Sequence, residues 1–129
     1  MNHDAPIRPR VLVVDDEAPL RELIAVTLGD DFECIQAPDG ETALELLDEV
    51  KPDLVFLDVM LPGKSGLDVL EEMRADEQMR DVPVVIVSAW QTPDDVTRAL
   101  EKGADEFIGK PFLVDDLASL AQTLLERRR

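Results

Sequence analysis

Three uninterrupted apolar runs rich in β-branched residues, Val11-Leu12-Val13-Val14, Leu54-Val55-Phe56-Leu57 and Val84-Val85-Ile86-Val87, limit the folds open to this chain. A strand that is apolar on every residue needs cover on both faces, as in a parallel sheet lying between helices. Phe32 to Ala37, broken by Glu33 and Gln36, and the short Glu106-Phe107-Ile108 read as edge strands. Between the runs lie single apolar stripes at helical spacing: Leu20, Leu23, Ile24 and Leu28; Ala43, Leu44, Leu47 and Val50; Leu67, Leu70 and Met73; Leu117, Leu120, Ala121 and Leu124. A fourth helix carries only Val96, Ala99 and Leu100, the thinnest stripe of the five, so it is predicted to pack most weakly and to be a moving part.

The punctuation agrees with these boundaries. Pro19 suits a first helical turn, Ser65 stands three residues before Asp68, and Thr92-Pro93 precedes Asp95 in the spacing of a capping box. Gly29 and Gly103 supply stops. Five strands alternating with five helices give a doubly wound α/β sandwich, because right-handed crossovers place helices on both sheet faces. Residues 10–127 are expected to form one domain behind a short tail at 1–9, in which His3 is assigned no role.

With 129 residues, 45% hydrophobic and 33% charged, the chain has the size and composition of one globular unit. Its net charge of −16, from 29 acids against 13 bases, repels phosphate backbones and anionic lipid, so no direct nucleic-acid contact and no membrane association are expected. Cys34 is the only cysteine, which excludes an intrachain disulfide and a cysteine metal cluster. No apolar stretch has the length of a signal peptide core or a membrane span, and a cytoplasmic location is expected. The basic end, Glu126-Arg127-Arg128-Arg129, suits the negative end of a last helix and equally the start of a linker.

In open α/β sheets ligands bind beyond the carboxyl ends of the strands. There the sequence places Asp15-Asp16-Glu17 after the first run, Asp58 after the second, Ser88 after the third and Lys110 after the last short strand. Singly, each has a plain structural explanation: acids cap helices, Asp58 can open the turn at Pro62-Gly63, and Ser88 and Lys110 can be surface groups. Together they differ, because carboxylates gathered at adjacent strand ends repel one another and call for a cation. Hard oxygen ligands that leave room for water and phosphate favour Mg²⁺; a lysine and a hydroxyl complete the parts of a phosphoryl-transfer site.

The pattern resembles the receiver domains of response regulators in two-component signalling, over almost the whole chain from Val11 to about Leu125. Val13-Val14-Asp15-Asp16-Glu17 is similar to the family's acidic segment, and Leu57-Asp58-Val59-Met60-Leu61-Pro62-Gly63 to its phosphoacceptor strand and loop. Val87-Ser88-Ala89 is similar to the hydroxyl position, and Gly103 to Phe112 to the switch aromatic, lysine and proline. The resemblance implies a flavodoxin-like (βα)5 fold with strand order 2-1-3-4-5, the order that a chemotaxis regulator of this family exemplifies. It implies that Asp58 accepts a phosphoryl group from a histidine kinase, a histidine phosphotransfer protein or a small phosphodonor. Mg²⁺ would be held by Asp16, Asp58 and the Met60 backbone carbonyl, and by Asp15 partly through water.

By the same resemblance Ser88 and Lys110 hold the phosphoryl oxygens, and Phe107 turns inward as Ser88 moves. Phe107 would otherwise pass for an ordinary core aromatic. The Lys110-Pro111 bond resembles one that is cis in the family, whereas the sequence by itself favours trans. Met60 and Trp90 flank the expected phosphoryl position and would hinder attacking water. The output is expected through the surface of the fourth helix, fifth strand and fifth helix, toward an effector protein, an output domain or a second copy in a homodimer. An aspartate-based phosphohydrolase is disfavoured because Met60 stands where a second aspartate would follow Asp58, and a flavin module because Asp15-Asp16-Glu17 would repel its phosphate. The intact acid, hydroxyl and lysine set argues against a receiver-like module that signals without phosphorylation.

Overall fold

A computed structural model describes residues 8–127; the expected tail at 1–9, with His3, lies outside them except for Arg8 and Pro9, as do Arg128 and Arg129. The chain runs β1 (Arg10–Val14), α1 (Ala18–Leu28), a 3₁₀ turn (Gly29–Asp31), β2 (Glu33–Ala37), α2 (Gly40–Val50) and β3 (Leu54–Asp58). It continues through α3 (Gly66–Ala75), β4 (Val84–Ser88), α4 (Pro93–Glu101), β5 (Glu106–Gly109) and α5 (Val114–Arg127). The five strands are parallel in the order β2-β1-β3-β4-β5, so the two interrupted runs are the edges and the three continuous ones the centre.

Side-chain alternation splits each central run between two cores. Leu12, Val14, Val55, Leu57, Val84 and Ile86 pack with Ala43 and Leu47 of α2, Val69, Leu70 and Met73 of α3, and Ala99 of α4. Val11, Val13, Leu54, Phe56, Val85 and Val87 pack with Ile24 and Leu28 of α1 and with Leu117, Ala121 and Leu124 of α5. Strands that looked undifferentiated in sequence thus serve both layers at once. As its thin stripe predicts, α4 buries Ala99 alone, whereas α5 buries four residues.

Local chemistry fixes the helix ends. Ser65 and Asp68 exchange side-chain-to-backbone hydrogen bonds at the start of α3, and Thr92 and Asp95 do the same at the start of α4. α2 begins at a cap the sequence reading did not single out, Asp39, whose carboxylate accepts from the Thr42 N–H at 2.8 Å. At the opposite end of the sheet Arg74 of α3 donates to the carbonyls of Arg80, Val82 and Gly103 and pairs with Asp105, tying α3 to the β4 start and the α4–β5 turn.

Gly66, the first residue of α3, lies against the backbone of the strand that ends in Asp58. A Cβ at this position would fall 2.0 Å from the Asp58 carbonyl oxygen, and backbone cannot swing aside as a flexible side chain can. Gly66→Ala is therefore expected to lower the unfolding free energy in urea by about 1–3 kcal/mol, the usual cost of overpacking. An unchanged urea midpoint would show that the β3–α3 connection has slack.

Candidate functional site

The carboxyl ends of β1, β3 and β4 carry Asp15, Asp58 and Ser88, with 3%, 4% and 0% of their surface exposed. These are the only buried polar or charged side chains among the described residues, and all three stand at one edge of the sheet. Lys110, just after β5, reaches back across that edge. Its ammonium donates to Asp15 Oδ2 at 2.8 Å and to Asp58 Oδ2 at 3.0 Å, and Glu17 lies farther off at 3.9 Å. The contact joins residues 95 and 52 positions apart in sequence.

Backbone groups set the remaining directions. Asp58 Oδ1 accepts from the Met60 N–H at 3.1 Å, and Asp15 Oδ1 accepts from the Glu17 N–H at 2.8 Å. Arg21 of α1 donates to the Asp15 carbonyl at 2.6 Å, a support that no sequence signal announced. Ser88 does not touch the ion pair; its hydroxyl accepts from the Trp90 N–H at 3.0 Å. Phe107 is half-buried and, with Ser88, Trp90, Val59, Leu67 and Ala99, surrounds a cavity of about 30 Å³. The Lys110-Pro111 bond is cis, as the family resemblance implied.

Asp15, Asp16 and Glu17 bring one carboxylate oxygen each within 4.8 Å of one another, with Asp15 buried and the other two exposed. This acidic group suits a hard divalent cation with open coordination positions toward solvent. Glu17 belongs to it geometrically although the sequence reading did not name it as a ligand. Met60 and Trp90 are exposed at the mouth of the site.

Two buried carboxylates share one ammonium, so the trio keeps a net negative charge. Burial raises the Asp58 carboxyl above its ordinary range, opposed by the Lys110 hydrogen bond, the Met60 N–H and the Lys110 charge, and reinforced by the charge on Asp15. Burial pulls Lys110 down, but its hydrogen bonds and charge interactions with Asp15 and Asp58 outweigh that and leave it raised. The opposite implications for the pair, favourable for the lysine and costly for the aspartate, follow from the shared counterion: Lys110 has two anions, while Asp58 has part of one cation.

The family model of the response regulator receiver domain matches residues 11–122. The phosphate regulon transcriptional regulatory protein PhoB of Escherichia coli K12 is 40% identical over 119 residues, 92% of this chain and 52% of that protein. The DNA-binding response regulator MtrA of Mycolicibacterium paratuberculosis is 43% identical over 122 residues, 94% of this chain and 53% of that protein. Among solved structures, the receiver domain of the Francisella response regulator 1452 superposes with a TM-score of 0.89 at 29% identity, covering 95% of this chain and all of that one. The chain belongs to the response regulator receiver family, the signalling domains of two-component systems. It spans about half the length of the curated relatives it matches. Among the described residues no helix is long and apolar enough to cross a membrane.

The charge balance has a measurable consequence. A carboxyl whose folded-state pKa is raised costs stability once ionised, and the cost is relieved as pH falls through that folded value. In EDTA at pH 7, Asp58→Asn is therefore expected to melt above the wild type, with the difference narrowing as acid protonates Asp58. The raised Lys110 works in the other direction: its contribution is complete below the ordinary lysine pKa and is lost only as pH rises through its folded value. An Asn variant that melts lower at pH 7 would mean that the Lys110 bond outweighs burial at Asp58.

Proposed function

We propose that this chain is a phosphorylation-activated switch in which Asp58 accepts a phosphoryl group. The observation that carries the reading is the Lys110 ammonium held within 3.0 Å of both Asp15 and Asp58 beside an open acidic group. The donor is a phosphohistidine on a sensor histidine kinase or a histidine phosphotransfer protein, or a small phosphodonor. An Asp58 carboxylate oxygen attacks the phosphorus, an O–P bond forms as the N–P bond breaks, and the electron pair leaves on the imidazole nitrogen, which takes a proton from solvent. Asp16, Asp58 and the Met60 carbonyl, with Asp15 through water, would hold Mg²⁺. When bound, that ion neutralises charge on the phosphoryl oxygens. The chain's own groups hold the phosphoryl oxygens through the Lys110 ammonium and the Ser88 hydroxyl. The chemistry is confined to making and losing the domain's own acyl phosphate, and the exposed side chains of Met60 and Trp90 at the mouth shield it from attacking water.

Output follows from the Ser88 side of the sheet. A cavity of about 30 Å³ beside Ser88 is too small for the Phe107 ring, so Phe107 turns inward only as Ser88 shifts toward the phosphoryl group. The surface of α4, β5 and α5 changes with it and meets an effector protein, an output domain or a second copy. The net charge of −16 favours protein contacts over nucleic acid for this domain; the DNA-binding description of MtrA belongs to a protein about twice as long. A cytoplasmic site of action, where sensor kinases present their phosphohistidines, goes with this reading.

Acetyl phosphate or phosphoramidate with Mg²⁺ is expected to add one phosphoryl group, read by intact mass, and Asp58→Asn or EDTA to abolish the adduct. Wild type left unlabelled under conditions that label a control receiver would remove the basis for the reading. Hydrogen exchange with and without beryllofluoride tests the output: protection is expected to change across residues 92–112, and Ser88→Ala and Lys110→Ala to reduce that change more than they reduce labelling. Changes confined to the loops around Asp58 would place the output surface elsewhere.

A further inference from the structure

The β4–β5 ladder ends in an irregular way. Lys110 N–H donates to the Ser88 carbonyl at 2.8 Å. In a regular parallel ladder the Lys110 carbonyl would then accept from the N–H two residues beyond Ser88, that of Trp90. Trp90 N–H instead donates to the Ser88 hydroxyl at 3.0 Å. The place it leaves on the Lys110 carbonyl is taken by the side chain of Gln91, whose amide Nε2 donates at 2.6 Å. Gly109 makes room for this: a Cβ there would fall 1.9 Å from Gln91 Oε1.

Resting on the phosphoacceptor reading above, we propose that Gln91 is a positioning residue that latches the β4–α4 loop in the unphosphorylated arrangement. The arrangement is identified by Lys110, whose ammonium is engaged with Asp58 while its carbonyl holds the latch. When the Ser88 hydroxyl turns to a phosphoryl oxygen, Trp90 N–H loses its acceptor and takes the regular ladder place on the Lys110 carbonyl. Gln91 is thereby displaced. Thr92, the N-cap of α4, is its direct neighbour in the chain, so the exchange is delivered to the start of the most weakly buried helix. One hydroxyl rotation is converted into a one-place shift of hydrogen-bond donors along the strand end.

Trp90 is the only tryptophan in the chain, so its fluorescence reports on this loop without a label. Beryllofluoride is titrated in the presence of Mg²⁺ against wild type, Gln91→Ala, Gln91→Met and Gly109→Ala, with intact mass on acetyl phosphate run in parallel. Gln91→Met keeps the bulk and removes the donor. Gly109→Ala keeps the donor and sets a methyl against the flexible amide. All three are expected to tighten the apparent beryllofluoride affinity by about two- to tenfold, the range that one net hydrogen bond supports, because each removes a bond made only in the unphosphorylated arrangement. A purely structural role would lower the melting temperature and leave the affinity in place, which would overturn the proposal. So would tightening by Gln91→Ala but not Gln91→Met, since bulk rather than the donor would then matter. A wild type that gains the Asp58 adduct with no fluorescence change would sink the latch alone; one with neither adduct nor change would take the phosphoacceptor reading down with it.

Discussion

The Lys110 ammonium between Asp15 and Asp58 is the contact on which the upper edge of the molecule depends. Asp58 ends a strand that is apolar along the rest of its length, and Asp15 directly follows one that is apolar from Val11 to Val14, so both carboxylates are buried at the sheet edge. One cation cannot satisfy two buried anions, and the edge is left short of positive charge. That shortage is useful: a group bringing cationic neutralisation finds a prepared place, and Lys110 is a partner that can be reassigned rather than removed. The supports beneath it, the Met60 and Glu17 amides and the Arg21 guanidinium, keep the carboxylates aimed while their counterion is shared.

The layers and the site were legible in the sequence for separate reasons. Continuous apolar runs such as Leu54–Leu57 announced double-sided burial, and their polar successors Asp58 and Ser88 fell at the carboxyl edge of the sheet because they end the central strands. The Ser65 and Thr92 capping boxes were legible because both partners lie within one turn. The features missed depend on contacts across the fold. The Arg74 cluster bridges about thirty positions, Arg21 acts on a carbonyl six residues behind it, and Gln91 reaches Lys110 nineteen residues on. A polar side chain in a loop gives no sign in sequence of which distant carbonyl it will find. Asp39 is a different kind of miss: its cap is local, but Gly40 follows it, and the pair reads as readily as a turn.

The weakness of α4 and the strength of α3 and α5 also belong together. α4 holds to the body through one buried alanine, yet its far end is fixed because Arg74 clamps the Gly103 carbonyl and Asp105. The turn after α4 is thus tied to α3, while the start of the helix is held by the Thr92–Asp95 capping box.

The division of the interior into two cores has a further meaning. Ser88, Phe107 and the cavity between them adjoin the layer of α2, α3 and α4, while α1 and α5 close a separate core on the other side of the strands. The sheet acts as a bulkhead. A change of side-chain volume beneath one layer reaches the other through the strands they share. The backbone that separates the two layers is thus also their common support, each strand lending alternate side chains to one core and then the other.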